Sequence, residues 1–451
     1  MVKANRYYRL VRGLFWSSIP PALQNLAFSA QQVLDTVMVA QLDDAAVAAL
    51  SFCGSAIMVF TSVVYGIILA TSAFIAQHWG AQKLSGMRLY LYMSIGGSMV
   101  VVVPIVLILV LFPELLMALG PDVVAVKDKG AEYLRIAGWS ILAFPITVSL
   151  GMALNMIGQG RLSMIISLCF VFCSIFLNYL FIFGVGLLPA MGVAGAALGT
   201  LVTNAVFLML YLYLFVIAEH PFKFYYKEIS QQFSRSAVNK LVAKSAPLAL
   251  NGGLWAAGLF AYHIIFSRLG SVGLTTIALI APIVTLSMVA FNGLATGASA
   301  RIGQLLGRRK LKYAWLETQL AITVTLLMGL TISAIGILFA DFLPQIYSSI
   351  SEETIGVLKP TYDIAALFMW VRCVNVVLIN GILRAGGDNA FVLKLDSATT
   401  WLMSLPITII FALVFELSMQ WVYLASLTEE FLKLVFAFKR VQSRQWMQSL
   451  V

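Results

Sequence analysis

The sequence predicts an all-α integral membrane protein: twelve transmembrane helices in two six-helix bundles related by a pseudo-twofold axis along the membrane normal. Three observations predict it. First, 61% of the 451 residues are hydrophobic and only 11% are charged, against about 25% charged in soluble domains. Mean hydropathy is +0.94. Such a chain cannot cover a globule of this length with polar surface, which excludes soluble folds. Second, apolar runs of the roughly 20 residues needed to cross a bilayer recur along the whole chain. Third, the two halves repeat.

Breaks at charges, Gly and Pro place the spans near 14–40, 46–78, 88–112, 130–157, 162–186, 191–217, 238–267, 274–302, 313–340, 358–384, 391–415 and 419–438. Several are long enough to predict tilt. The basic N-terminus runs straight into a full span, so no cleavable signal peptide is expected. With that terminus in the cytoplasm, twelve spans return the C-terminus there. The Lys and Arg residues then divide 23 to 4 between cytoplasmic and outer segments, with Lys127, Lys129, Arg268 and Lys359 outside and Arg135 and Arg372 within spans. Cytoplasmic loops carry such an excess. The net charge of +10 is therefore an orientation signal, and no nucleic-acid partner is expected. Cys53, Cys169, Cys173 and Cys373 lie in apolar stretches and read as packing residues. His78, His220 and His263 show no metal-ligand spacing and read as interface or packing residues, so no metal site is expected.

The repeat is visible in GIILATSAFIAQHWGAQKL (66–84) and GLATGASARIGQLLGRRKL (293–311), which share eight of nineteen residues at an offset of 227. The same offset pairs Pro20 with Pro247 and Gly160 with Gly387. Apolar bias does not produce shared Gln, Lys and Pro. Two six-helix halves, 1–218 and 238–451, with a cytoplasmic linker at 219–237 and a short cytoplasmic tail, follow. Both insert the same way up, an architecture suited to a transporter with a central cavity.

An ionisable residue inside a span marks function by default. Asp35 is the acid that falls well inside one. Gln24 and Gln31 share its helix face, and Asn25 and Gln32 widen the stripe. A carboxylate in an apolar, intermittently wet cavity exchanges protons near neutral pH, because lost hydration penalises its charged form. Candidate partners for cation coupling are Asn155, Asn178, Thr200 and Thr203. Pro20 and Pro21 lie in the same helix, remove backbone donors and predict a hinge whose shape follows Asp35 protonation. Arg372 is a second ion within a span, able to neutralise an anion or to pair with Asp363. Glu429 and Lys433, at i and i+4, read as a structural ion pair; Glu430 lies beside them. Phe28, Met38, Trp139, Phe144, Trp255 and Tyr262, with Arg372, are candidates for lining a substrate cavity.

The opening span, PPALQNL…VLDTVMVAQL, resembles the first helix of the multidrug and toxic compound extrusion (MATE) family, with Pro20 and Asp35 on its proline and aspartate. AQHWGA (76–81), LNYLFIFG…MGVAGAALGT (177–200) and ILRAGGD (382–388) resemble the family's helix 2, helix 5–6 and helix 10 regions. The likeness is to bacterial members, with a Vibrio source expected. It implies an N-lobe and a C-lobe, residence in the bacterial inner membrane, and efflux of amphipathic, often cationic drugs in exchange for H+ or Na+, by a monomer without a cofactor. Asn178 occupies a position where some members carry a second aspartate. Sodium-coupled members carry C-lobe acids where this chain has Trp255 and roughly Cys373, so the resemblance implies coupling through the N-lobe alone, with H+ favoured. A lipid-linked oligosaccharide flippase is the alternative, resting on Arg372. No HExxH motif or paired acidic metal motif supports an enzyme, and Asp43 and Asp44 read as outer-loop charges.

Overall fold

The computed structural model describes residues 2–118, 123–184, 189–214, 220–346 and 351–451; the expected boundaries at 217, 218 and 219 lie outside them. The described residues form helices and turns with no strand among them. In chain order the principal helices are α1 (Val2–Ala40), α2 (Asp44–Gly80), α3 (Leu84–Leu111), α4 (Val124–Ser140), α5 (Phe144–Met156), α6 (Gly160–Phe183), α7 (Gly192–Leu212), α8 (Arg235–Ser267), α9 (Gly270–Gly307), α10 (Leu311–Phe339), α11 (Glu352–Leu367), α12 (Met369–Val376), α13 (Asn389–Ser397), α14 (Leu405–Ile409), α15 (Met419–Ser426) and α16 (Thr428–Gln442). Apolar backbone at membrane depth must satisfy its own hydrogen bonds, and helices do so within one segment.

Ten segments among the described residues are long and apolar enough to cross a bilayer, from Ala45–Gly80 to Asn389–Val414. They correspond to the second through eleventh expected spans. The first and last fall short for a physical reason. α1 carries Pro20 and Pro21 and the polar run from Gln24 to Asp35. The last expected span divides into α15 and α16 and holds Glu429, Glu430 and Lys433. In the second half, π-helical turns at Val377–Leu383 and Ala398–Ser404 interrupt the regular ladder, a feature often found beside functional residues.

The chain packs as two compact units, Met1–Ala22 with Leu250–Val451, and Leu23–Ala249. Relative to the halves expected from the sequence, two segments are exchanged. α1 passes from one unit to the other after Ala22, and α8 after Ala249, the position 227 residues on. Within each unit the exchanged helix presses on glycine. A Cβ at Gly66 of α2 would lie 2.3 Å from the Leu248 carbonyl oxygen, and a Cβ at Gly293 of α9 would lie 2.5 Å from Ala22 Cβ. Small residues permit this backbone approach. Ser18 donates to the Leu14 carbonyl at 2.7 Å, and Ser245 to the Leu241 carbonyl at 2.9 Å. The glycines and the serine bonds obey the 227-residue offset, and Ala249 N, the offset partner of Ala22, lies 2.7 Å from the would-be Cβ of Gly66, so the repeat extends from sequence to packing.

Candidate functional site

The polar stripe of α1 meets a matching stripe on α6. Asn178 Nδ2 donates to Asp35 Oδ1 at 2.9 Å. Gln31, one turn before Asp35, is the carboxylate's second side-chain partner, and its Nε2 donates to Ser174 Oγ at 2.8 Å. Ser174 and Asn178 are four residues apart, so one face of α6 carries both partners. Further along, Asn155 Nδ2 of α5 donates to Gln24 Oε1 at 3.3 Å. Asn178 is 2% exposed. It is seated against Gly199 of α7, where a Cβ would stand 2.2 Å from Asn178 Oδ1. Asn178 Oδ1, Asn155 Oδ1 and Gln24 Nε2 are buried without a hydrogen-bond partner. Unpaired buried polar atoms are costly, and three of them stand together here.

Other expected partners stand differently. Thr200 and Thr203 donate to the Ala196 and Gly199 carbonyls of their own helix, at 3.0 and 2.7 Å. Met38 is 8% exposed and belongs to a core with Val39, Ala46, Ile182, Val193 and Ala196. Phe144 packs partly buried against the core around Val102 and Leu134. Phe28 meets Phe170 edge-on at 6.2 Å. Trp139 and Trp255 are exposed, the latter at 53%. Pro20 and Pro21 are buried inside a continuous helix, and Ser17 and Ser18 both donate to the Leu14 carbonyl just before them. Tyr133 of α4, which the sequence reading missed, packs on the Met38 core within range of the Asp35 charge.

The second half holds a charged cluster of its own, away from Trp255 and built around the acids of the last span. Arg372 pairs with Glu430 at 3.8 Å and faces the Tyr423 ring at 6.0 Å; its partner is not Asp363. Asn375 Nδ2 donates to Glu430 Oε2 at 2.8 Å. Lys433 lies 3.8 Å from Glu429, as i,i+4 spacing predicts, and 3.4 Å from Asp396, which accepts from Asn251 Nδ2 at 2.9 Å. Tyr262 is buried, with its hydroxyl 2.7 Å from Ser404 Oγ and 3.2 Å from Glu429 Oε2. Lys433, counted above among cytoplasmic charges, is buried here. The histidines make packing contacts: His78 Nδ1 with the Phe74 carbonyl, His220 with Gln159, and His263 with the Leu259 carbonyl. Among the described residues no His, Cys, Asp and Glu group has the arrangement of a metal site.

The MatE family profile matches residues 20–180 and again 247–410, two copies whose starts are separated by the same 227-residue offset. The chain belongs to the MATE family. MATE proteins are transporters, so this is a multi-pass membrane transporter and not an enzyme. Relatives include the multidrug resistance protein NorM of Aliivibrio fischeri, 23% identical over 89% of this chain and 87% of its own length. A probable NorM of Bacillus licheniformis is 24% identical over 94% of each chain. Relatives from these distant genera match at similar identity and single out no source. Among solved structures, the Vibrio cholerae MATE transporter VcmN superposes with a TM-score of 0.86 over 98% of this chain and 99% of its own, at 19% identity. A MATE structure in the bent conformation also gives 0.86, over 97% and 96%. These likenesses establish the MATE fold.

Proposed function

We propose that this protein is a secondary antiporter of the bacterial inner membrane that exports amphipathic, often cationic drugs in exchange for H+. The observation that carries the reading is the Asn178–Asp35 hydrogen bond beside the orphaned Asn178 Oδ1. An ionised Asp35 accepts from Asn178 Nδ2. A protonated Asp35 offers a donor of its own, which the unpaired Asn178 Oδ1 is placed to accept if the amide turns. Protonation thereby exchanges the bond between α1 and α6 and biases the shape of α1, with Pro20 and Pro21 as the weak point of the ladder. A drug cation and a proton compete for the same carboxylate, which is the minimum an antiporter requires. The driving force is about 2.3 kcal/mol per charge per 100 mV.

H+ is favoured over Na+ by the chemistry around Asp35. Asn178 turns its amide nitrogen to Asp35, which suits a carboxylate that gains and loses a proton, whereas Na+, as a hard cation, needs oxygens turned to it. Both termini are assigned to the cytoplasm from the distribution of Lys and Arg, and the working unit is taken as a monomer. Arg372 is engaged by Glu430 and Tyr423, so it lends nothing to a flippase reading. Drug resistance conferred on a sensitive host by wild type and by Asp35→Asn tests the proposal, with efflux from vesicles under a pH or a Na+ gradient. Loss of resistance in the variant and dependence on the pH gradient are expected. Full resistance with Asp35→Asn refutes the role of Asp35.

A further inference from the structure

The cluster in the second half is the repeat counterpart of the Asp35 site. The 227-residue offset carries Asp35 onto Tyr262. The Asp35–Asn178 contact has its counterpart in Tyr262–Ser404, residues 143 apart in the first case and 142 in the second. The first half places its carboxylate on the first helix. The second places a phenol there and draws the carboxylate, Glu429, from the last helix.

Hydrogen counting shows what this cluster lacks. Glu429 Oε2, Tyr262 Oη, Ser404 Oγ and the Ser426 carbonyl oxygen form a chain with successive separations of 3.2, 2.7 and 3.1 Å. That is three contacts. The two hydroxyls supply one hydrogen each, and a carbonyl supplies none. With Glu429 ionised, Tyr262 donates to it and Ser404 Oγ can serve only one of Tyr262 Oη and the Ser426 carbonyl; with Glu429 Oε2 protonated and donating to Tyr262 Oη, all three contacts carry a hydrogen. Charge agrees. Asp396, Glu429 and Glu430 face Arg372 and Lys433, three carboxylates against two cations, so one added proton neutralises the group. Asp396 accepts from Asn251 and Glu430 from Asn375, with Lys433 and Arg372 as their respective ion-pair partners; Glu429 has Thr400 and Lys433 beside it as well as Tyr262. A further buried acceptor, Asn375 Oδ1, is unpaired in a residue 3% exposed.

We infer that Glu429 is a second proton-carrying residue of the transport cycle, paired with Tyr262 as Asp35 is paired with Asn178. The inference rests on the reading of Asp35 as the first. A proton from water adds to Glu429 Oε2, its hydrogen is donated to Tyr262 Oη, and release returns it to water. The titratable and charged groups facing Glu429 are Tyr262 from α8, Arg372 from α12, and Glu430 and Lys433 from its own helix; Asp396 from α13 and Tyr423 from α15 stand one step further out, against Lys433 and Arg372.

The test is the pH-difference infrared spectrum of the lipid-reconstituted protein in the protonated-carboxyl region, which needs no substrate. Wild type is expected to give two buried-carboxyl signals. Asp35→Asn removes one and Glu429→Gln the other, and the double variant removes both. Tyr262→Phe removes the acceptor of the Glu429 hydrogen and is expected to shift the Glu429 signal to higher frequency, an effect that a merely structural role does not produce. A spectrum unchanged by Glu429→Gln, or by Tyr262→Phe should the first variant fail to fold, overturns the inference. A spectrum unchanged by Asp35→Asn but altered by Glu429→Gln overturns the Asp35 reading instead.

Discussion

Arg301 binds Glu317 through Nε at 3.1 Å and also through Nη2, and Glu317 is only 1% exposed. Under the 227-residue offset, these positions are Phe74 and Tyr90, whose rings stack at 4.3 Å. One half solves the contact between its second and third helices with a buried ion pair, the other with two aromatic rings. Removing one partner of a buried pair strands the other charge, at a cost of about 3–5 kcal/mol. Arg301→Phe alone and Glu317→Tyr alone are each expected to lower the melting temperature strongly. The double variant, which copies the first half, is expected to recover most of the loss. A double variant no better than the worse single one, measured by thermal unfolding in detergent, would show that the halves do not share this geometry.

Gly199 sets the distance between α6 and α7 at Asn178. Gly199→Ala puts a methyl against Asn178 Oδ1 and 2.8 Å from its backbone nitrogen, an overpacking worth about 1–3 kcal/mol. Resistance is expected to fall because Asn178 is driven off Asp35. Gly96, on α3, has nothing within 4 Å of its would-be Cβ, so Gly96→Ala is expected to be neutral or to stabilise by about 0.5–1 kcal/mol. Equal resistance from the two variants, at equal expression, contradicts the placement of Asn178.

Much of this was legible in the sequence, and what was missed has a physical reason. Asp35 and Pro20 stood out because hydrocarbon tolerates so few such residues, and the repeat appeared as shared Gln, Lys and Pro. The second-half cluster did not appear. Arg372 and Glu430 are far apart in the chain, so no helical spacing announces them. Glu429 and Lys433 do obey i,i+4 spacing, and the local pairing hid the link to Tyr262. The offset itself held the missing signal, since it sets Tyr262 opposite Asp35. Met38 shows a further limit: an apolar residue one turn from a polar stripe can face either core or cavity, and only packing decides.

Trp446 is a prediction about stability alone. Its ring is fully buried and its Nε1 donates to the Val441 carbonyl at 3.1 Å. Nearby, Arg440 holds Asp388 at 2.7 Å, tying α16 to the turn before α13. Trp446→Ala removes a large buried ring, at about 3–5 kcal/mol. Lower abundance and a lower melting temperature are expected, with the efflux rate per folded molecule unchanged. A normal melting temperature with slower efflux per molecule would assign this tail to transport instead.

Asp43 gives a pH dependence whose sign is fixed. It caps α2 by accepting from the Ala46 backbone N–H at 2.8 Å, and it pairs with Lys129 of α4. The Lys129 ammonium, hydrogen-bonded to it, holds its carboxyl below the usual 3.8. A carboxyl depressed in the folded state adds stability above its unfolded value and loses it as pH falls toward the folded one. Asp43→Asn keeps an oxygen for the cap but loses the ion pair. The variant is therefore expected to melt slightly below wild type near neutral pH, with the gap closing once pH drops below about 4, and closing also at high salt because the pair is exposed. Melting curves at pH 7 and pH 3 decide it: a gap of the same size at both would place its origin in the cap and not in the charge.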